Sequence, residues 1–355
     1  MKNKLIFLAC IIFIAIILRL SALSKSLIEN VYSRFFYKGL AGSLNKISGK
    51  FSFSLGEILL VIFIILLILF IAFTVKNLIT EKEKLKILFN FLYAIVCTAV
   101  ILYIIFMSFW GLNYYRIPLT ENYSDYMERE IDNEDIYSLA EYLIKDINNL
   151  KSQMKYQNIN TNFQALNRMV EEDYKNIFEE FDFLNMHYVR TKPIKSSKLF
   201  LYLQILGIYN PFTFESNVNI LIPYISFPFT IAHEMSHQIG ISYEDEANFL
   251  AYLVCSKSED LFIRYSGDFE ALLYLLGQLN RDENYGHLID NLNDETKKEI
   301  REYSEFWKRY SGELSKVSKN VNDAYLKANS QKEGVQSYSR VVRLLVYYYR
   351  SKNII

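Results

Sequence analysis

Glycine and proline are scarce in this sequence. Its 355 residues include 12 Gly and 5 Pro, too few chain-breaking residues for a sheet-rich fold with many tight turns. The five prolines lie between Pro118 and Pro228, so the rest of the chain can form long, uninterrupted helices. We therefore predict a mainly α-helical protein with a small β element.

Cysteine and net charge are also low. Cys10 and Cys97 lie in apolar runs, which leaves Cys255 without an obvious partner and excludes a disulfide-stapled fold. The 39 basic and 39 acidic side chains cancel, so no field attracts a polyanion and we expect no nucleic-acid partner. Hydrophobic residues make up 51% of the chain and charged residues 22%, which favours a membrane-attached protein over an ordinary soluble domain.

Three long apolar runs account for this composition, at about residues 4–23, 56–75 and 88–112. A helix needs roughly 20 apolar residues to cross a bilayer, and the third run ends in aromatic rings suited to the headgroup boundary. The first run also resembles the core of a signal peptide, but two further spans follow it, which favours a retained helix. We predict a membrane anchor of residues 1–116 with three transmembrane helices and the lipid bilayer as a partner.

The lysines between the spans indicate an orientation. Lys76, Lys82, Lys84 and Lys86 crowd the short linker between the second and third spans, whereas the loop after the first span spreads its basic residues over a longer stretch. Cytoplasmic loops carry the denser positive charge. The short linker is therefore predicted to be cytoplasmic, and the domain that follows the third span to be extracytoplasmic.

Residues 117–355 have the composition of a soluble domain that is large enough for one core. Apolar residues recur at helical spacing in five stretches, at residues 132–155, 162–181, 261–279, 294–328 and 335–350. Residues 217–222 alternate and then become apolar, which predicts a short strand. That strand is either structural or an edge strand that binds an extended peptide by strand addition.

The motif with the most specific chemistry is His233-Glu234-Met235-Ser236-His237, an HExxH pattern. Composition alone would place it in a chain of this length roughly 0.005 times. On a helix, positions four apart share one face, so both imidazoles can reach one metal ion. Glu234 then lies beside the metal, where it can take a proton from bound water. Pro228 suits the first turn of such a helix and Gly240 its end.

A catalytic zinc site needs a third protein ligand and an open position for water. Ser242 and Asp245 have the spacing of a capping box, which predicts that a second helix starts here. A turn at Gly240 could bring that helix back so that Glu244 meets the metal. Glu246 is an alternative ligand, and a third possibility is that these acids are only first-turn charges favoured by the helix dipole.

The segments 228–240 and 244–252 resemble an uncharacterised bacterial family, the domain of unknown function thirty-eight-ten, whose members are membrane-anchored and carry a gluzincin-like signature. The resemblance extends over nearly the whole chain, to residues 53–57, 211–213, 217–219, 325–329 and 337–338. It implies a zincin-like metallopeptidase domain at 117–355 and a bacterial cell membrane as the location, but no substrate. In membrane-associated gluzincins the next helix carries Glu-x-x-x-Asp with the Glu on zinc; here Glu244 matches that Glu and Asn248 stands at the Asp.

Other residues carry weaker signals. A tyrosine or arginine often stabilises the oxyanion beside zinc, and Tyr338, Arg340 and Tyr325 are candidates. His187 and His287 are interpreted as ordinary surface or core histidines.

Together these features predict a membrane-anchored zinc metallopeptidase that acts on a peptide or protein substrate. His233, His237 and Glu244 would bind Zn²⁺, and Glu234 would be the general base. The alternative is a non-catalytic membrane protein with a structural or vestigial zinc site. Glu234 argues against this alternative, because a structural site needs ligands rather than a base and usually has four of them.

Overall fold

Long helices dominate the structure, in agreement with the shortage of glycine and proline. The computed structural model describes residues 2–126, 129–156, 159–186, 189–279, 285–329 and 338–355. The chain forms two units. Residues 1–116 and 210–215 belong to the first unit, and residues 117–209 and 216–355 belong to the second.

The first unit contains three helices that are long and apolar enough to cross a membrane, namely α1 (Lys2–Ser21), α4 (Leu55–Thr80) and α5 (Lys84–Phe109). The predicted spans at about residues 4–23, 56–75 and 88–112 overlap these helices, and the third helix ends where the backbone leaves helical geometry at Trp110 (φ −154°). The elements of the unit are α1 (Lys2–Ser21), α2 (Lys25–Leu27), a π-helix (Ile28–Tyr37), α3 (Lys38–Ser48), α4 (Leu55–Thr80), α5 (Lys84–Phe109) and a 3₁₀ helix (Gly111–Tyr115).

Helix α4 begins at Leu55 because its first backbone N–H groups find acceptors there. Ser54 Oγ accepts a hydrogen bond from Glu57 N (3.1 Å), as an N-cap residue does. The buried Glu215 carboxylate accepts from the N–H groups of Leu55 (3.2 Å) and Gly56 (2.8 Å). A carboxylate at this end also complements the helix dipole.

A buried ion pair stabilises the first unit. The Glu29 carboxylate on the π-helix accepts hydrogen bonds from Arg116 Nε (3.0 Å) and Nη2 (2.9 Å), and from Arg34 Nε (2.8 Å). Burial acts to raise the pKa of Glu29, but the two guanidinium groups lower it overall. The carboxylate is therefore charged at neutral pH and balances the buried Arg116.

Replacing Glu29 by glutamine is expected to lower the free energy of unfolding by about 3–5 kcal/mol, because it removes the carboxylate that balances a buried cation. A lowered pKa in the folded state means that the stabilisation is present above the ordinary carboxyl pKa of 4.5 and is lost as the pH falls below it. Thermal unfolding of the full chain and of Glu29→Gln at neutral and acidic pH measures both effects. A stability difference that does not shrink in acid would contradict this account.

The second unit is mainly helical and contains most of one small sheet. Its helices are 3₁₀ Leu119–Tyr126, α6 (Asn133–Met154), α7 (Phe163–Glu180), 3₁₀ Asp182–Leu184, α8 (Ser197–Tyr202), 3₁₀ Tyr224–Ser226, α9 (Phe227–Gln238), α10 (Glu244–Ser256), α11 (Leu261–Leu279), α12 (Tyr285–Asp290), α13 (Asp294–Arg309), α14 (Glu313–Ala328) and α15 (Tyr338–Ser351). The strands are β1 (Thr191–Pro193), β2 (Gly207–Asn210) and β3 (Glu215–Val218), in the order β1-β3-β2.

The strand predicted at 217–222 is partly correct. Strand β3 ends at Val218, and it pairs in parallel with β1, with Ser216 opposite Thr191. Among the described strands β3 occupies the centre of the sheet, so of the two alternatives for this segment the peptide-binding edge strand is wrong. Both of its sides are used by neighbouring strands.

Helices α9 and α10 form the interior of the second unit. They pack against each other, and α10 also packs against α7, α11 and α15. From Asp245 to Cys255 every residue of α10 is buried, which explains why its sequence lacks the usual alternation of polar and apolar faces. The predicted helix at 294–328 is broken into α13 and α14, because Gly312 adopts an extended conformation.

Candidate metal centre

The HExxH motif lies on α9, whose sequence sets both of its ends. Pro228 lies in the first turn, where a missing N–H costs nothing. Gly240 follows the last turn with φ 92°, a left-handed conformation that favours glycine. Both positions agree with the sequence prediction. The turn returns the chain so that α10 packs against α9.

Three side chains converge at this turn. A ligand atom from each of His233, His237 and Glu244 lies within 4.8 Å of the other two. Glu244 Oε2 is 3.3 Å from His233 Nε2, and Glu244 Oε1 is 3.6 Å from His237 Nε2. Two ligands at zinc–ligand distances of about 2.0–2.1 Å in tetrahedral geometry are themselves separated by about 3.4 Å. The two distances from Glu244 to the histidines are therefore compatible with ligands of one zinc ion.

The orientation of His237 is fixed by the chain itself. Its Nδ1 donates a hydrogen bond to the carbonyl oxygen of Ile241 (2.7 Å), since a carbonyl can only accept. Nε2 then faces Glu244 (3.6 Å from Oε1) and is the atom that would bind a metal once deprotonated, which is the arrangement of a metal-ligating imidazole with a backbone partner. For His233, no hydrogen-bond partner of Nδ1 is found within the described ranges.

The charges of the cluster depend on one another. Burial alone would lower the pKa of His237, but the adjacent Glu244 carboxylate raises it to about 9. Burial alone would raise the pKa of Glu244, but the two imidazoles hold this pKa well below its ordinary value. Strongly perturbed acids and bases in contact are typical of functional sites.

Glu234 is the buried carboxylate of the site, with 3% of its surface exposed. Burial raises its pKa to about 7, against the lowering effect of the two neighbouring histidines. Its Oε2 has no hydrogen-bond partner among the described residues. A buried acceptor without a protein partner costs stability, and such a group points to a ligand or substrate.

Two residues that are distant from the motif along the chain contact Glu234 and hold it in place. Ser216 Oγ on β3 donates a hydrogen bond to the carbonyl oxygen of Glu234 (2.5 Å). Gly207 packs directly against the carboxylate: a Cβ at this position would lie 2.4 Å from Glu234 Oε1 and 2.6 Å from its Cγ. Neither contact is predicted by the sequence. An isolated glycine in a strand indicates close approach of another group, but nothing in the sequence identifies which group.

The other candidates occupy different places. Glu246 is fully buried and accepts a hydrogen bond from Leu119 N (2.7 Å), so it is outside the three-residue cluster. The predicted capping box at Ser242 is wrong, because α10 begins at Glu244 with Tyr243 at the cap position. Asn248 is buried one turn further along α10.

The structure describes the side chains of two of the three candidate oxyanion stabilisers, Arg340 and Tyr325. Arg340 Nε forms an ion pair with the buried Asp245 (2.9 Å), beside Glu244, and its guanidinium stacks on Tyr243 at 5.5 Å. Tyr325 lies on α14 with 39% of its surface exposed. The side chain of Tyr338 lies outside the described residues, as does His187. His287 Nδ1 is 2.9 Å from the hydroxyl of Tyr137, as expected for a surface histidine.

These observations define the class of the molecule: a mainly helical membrane protein with three candidate spans and a small three-stranded sheet. Residues 32–346 match the family model described as "Protein of unknown function (DUF3810)". The chain belongs to this family, which confirms the family resemblance of the sequence. A search of curated proteins found no match, and neither did a search of solved structures. The family description assigns no activity, so any function rests on the residues themselves.

Proposed function

We propose that this protein is a membrane-anchored, zinc-dependent metallopeptidase with its catalytic domain on the extracytoplasmic side of a bacterial membrane. The observation that supports the proposal is the convergence of His233, His237 and Glu244 beside the buried carboxylate of Glu234. Two imidazoles and one carboxylate are the ligand set of many catalytic zinc sites, which keep a further position open.

His233 and His237 would hold the ion through their Nε2 atoms, and Glu244 through its carboxylate. When bound, zinc supplies a Lewis acid that polarises a peptide carbonyl and favours ionisation of water. The hydrogen bond from His237 Nδ1 to Ile241 keeps that ring in the ligating orientation.

Glu234 would carry the proton. Its carboxylate takes a proton from the attacking water and then returns it to the amine of the leaving group. The absence of a side chain at Gly207 leaves the space that this carboxylate occupies, and Ser216 fixes the backbone at Glu234. A site that only bound metal for structure would gain nothing from a buried carboxylate lacking a protein partner.

The test uses the full chain in detergent and a peptide library made by tryptic digestion of a bacterial proteome. The metal content is measured by mass spectrometry, and new peptide ends are identified after incubation. We expect about one zinc per chain and a set of new ends that disappears with a zinc chelator and returns when zinc is added back. One bound zinc with no new ends would instead support the alternative of a non-catalytic zinc site.

Replacing Gly207 by alanine is expected to reduce hydrolysis by about 100-fold, the cost of misplacing a catalytic group by about 1 Å. The new Cβ would overlap the Glu234 side chain and force it to move. Zinc content should not change, because the three ligands are untouched. The library assay and metal analysis together measure both effects.

The matched control is Gly277→Ala on α11, where an added Cβ meets nothing within 4 Å. It should keep wild-type hydrolysis. Equal activity in the two alanine variants would show that the contact of Gly207 with Glu234 has no role in positioning the carboxylate.

A further inference from the structure

The segment that joins the first two candidate membrane spans is largely helical. α1 ends at Ser21 and α4 begins at Leu55, so both ends of the segment are tied to membrane-spanning helices. Between them, α2, the π-helix and α3 follow one another without a break from Lys25 to Ser48. A helical run of this length extends about 36 Å.

One side of this run is apolar and exposed. Leu27, Val31 and Phe35 recur at every fourth position of the run, with 45%, 54% and 81% of their surface exposed, and Leu23, in the turn just before the run, is 81% exposed. Positions four apart lie on one helical face. Other residues of the run, such as Tyr32 and Tyr37, are buried in the unit. The side chains at the end of α1, such as Leu20, are also apolar and exposed.

The same segment is strongly basic. Glu29 is the one acidic residue between positions 24 and 50, and it is buried in its ion pair with Arg116. The basic residues in that interval are Lys25, Arg34, Lys38, Lys46 and Lys50. Arg34 also pairs with Glu29, and with five basic residues against one acidic residue the segment has a net positive charge.

We propose that residues 23–50 form an in-plane membrane helix that binds an anionic lipid leaflet. The stripe of Leu23, Leu27, Val31 and Phe35 inserts at the boundary between acyl chains and headgroups, and the lysines contact lipid phosphates. An exposed apolar face combined with basic residues is the pattern of interfacial helices. A second copy of the segment is disfavoured as the occupant, because its like charges would repel. This surface is separate from the metal centre, so the proposal does not depend on the proposed function.

Insertion of the stripe is tested with a fluorophore that reports its surroundings. Phe35→Cys is labelled in the full chain carrying Cys10→Ser, since the remaining cysteines are buried. The protein is reconstituted in phosphatidylcholine alone or with added phosphatidylglycerol. We expect phosphatidylglycerol to shift the label into lipid, where nitroxide lipids quench it and aqueous iodide does not. The control label at Lys82→Cys, an exposed position in the other linker, should stay aqueous.

The role of the charges is tested by Lys46→Gln combined with Lys50→Gln. A lysine near an anionic surface contributes about fivefold in binding, so losing two should weaken the response to phosphatidylglycerol by about 25-fold and abolish it at moderate lipid fractions. High salt should have a similar effect. The matched control, Lys82→Gln with Lys84→Gln, removes two exposed lysines from the other linker and should leave the response at position 35 unchanged.

Three results would overturn the proposal. The label at position 35 could remain open to iodide in both membranes, which would mean that the stripe is not in lipid. It could be buried in lipid regardless of phosphatidylglycerol and of the lysine changes. Or unlabelled Phe35→Cys could form disulfide-linked dimers with equal yield in both membranes, which would identify a second copy as the occupant.

Discussion

Replacing Glu234 by glutamine is expected to reduce peptide hydrolysis by about 10²–10⁴-fold, the contribution typical of a general base. Glutamine has nearly the same shape, but its amide cannot accept a proton from water at neutral pH. The zinc content should stay at the wild-type level, because the three candidate ligands are unchanged. Measurement of new peptide ends and of bound metal on the same preparations gives both values.

The matched control is Glu270→Gln on α11. Glu270 is also a buried glutamate, with 7% of its surface exposed, and its Oε1 accepts a hydrogen bond from Ser226 (2.6 Å). It lies outside the metal cluster, so its loss should leave hydrolysis within a few-fold of the wild type. If both variants kept full activity, Glu234 would not be the base; if both lost it, the effect would be one of folding.

The sequence predicted the parts of the site that lie close together along the chain. The spacing of His233 and His237 is helical, and Gly240 ends the helix. The next helix must therefore begin only a few residues after the motif. That is why Glu244 could be singled out from the acids that follow. Its convergence with both histidines agrees with the prediction, whereas zinc binding itself stays a prediction.

The parts that the sequence did not predict depend on contacts across long separations. Gly207 reaches Glu234 from a strand 27 residues earlier, and Ser216 from the next strand. Neither residue type is unusual, and their roles follow only from the packing of the sheet against α9. The break at Gly312 has a different reason: apolar residues occur at helical spacing on both sides of it, so the pattern continues across the break.

The same limit applies to the membrane unit. Hydropathy located three spans, but it gave no indication that the loop between the first two is itself helical. The reason lies in the buried face of that loop, where Glu29, Ser33 and Asn45 are polar. The same face also buries apolar residues such as Ile28 and Tyr37, while Phe35 is exposed, so polar and apolar residues are not divided between two faces. Hydropathy patterns depend on that division, which this segment lacks.

Replacing Glu244 by glutamine should weaken zinc binding by well over 100-fold, since even loss of a partner behind a ligand costs about 10–100-fold. The substitution removes the one negative charge among the three ligands and leaves a weaker neutral donor between His233 and His237. Competition with a fluorescent chelator measures the affinity of the full chain in detergent. Hydrolysis should fall in parallel at limiting zinc.

The variant Glu246→Gln tests the alternative hypothesis that Glu246, and not Glu244, is the third zinc ligand. Glu246 is two residues away on the same helix, but its carboxylate faces Leu119 N, so this variant should keep the zinc affinity while losing some thermal stability. Thermal unfolding reports that loss independently of metal. The reverse pattern, in which Glu246→Gln loses zinc and Glu244→Gln retains it, would transfer the role of third ligand to Glu246. Retention of zinc by both variants would mean that neither glutamate is a zinc ligand. The proposed three-ligand site, on which peptide hydrolysis depends, would then be wrong.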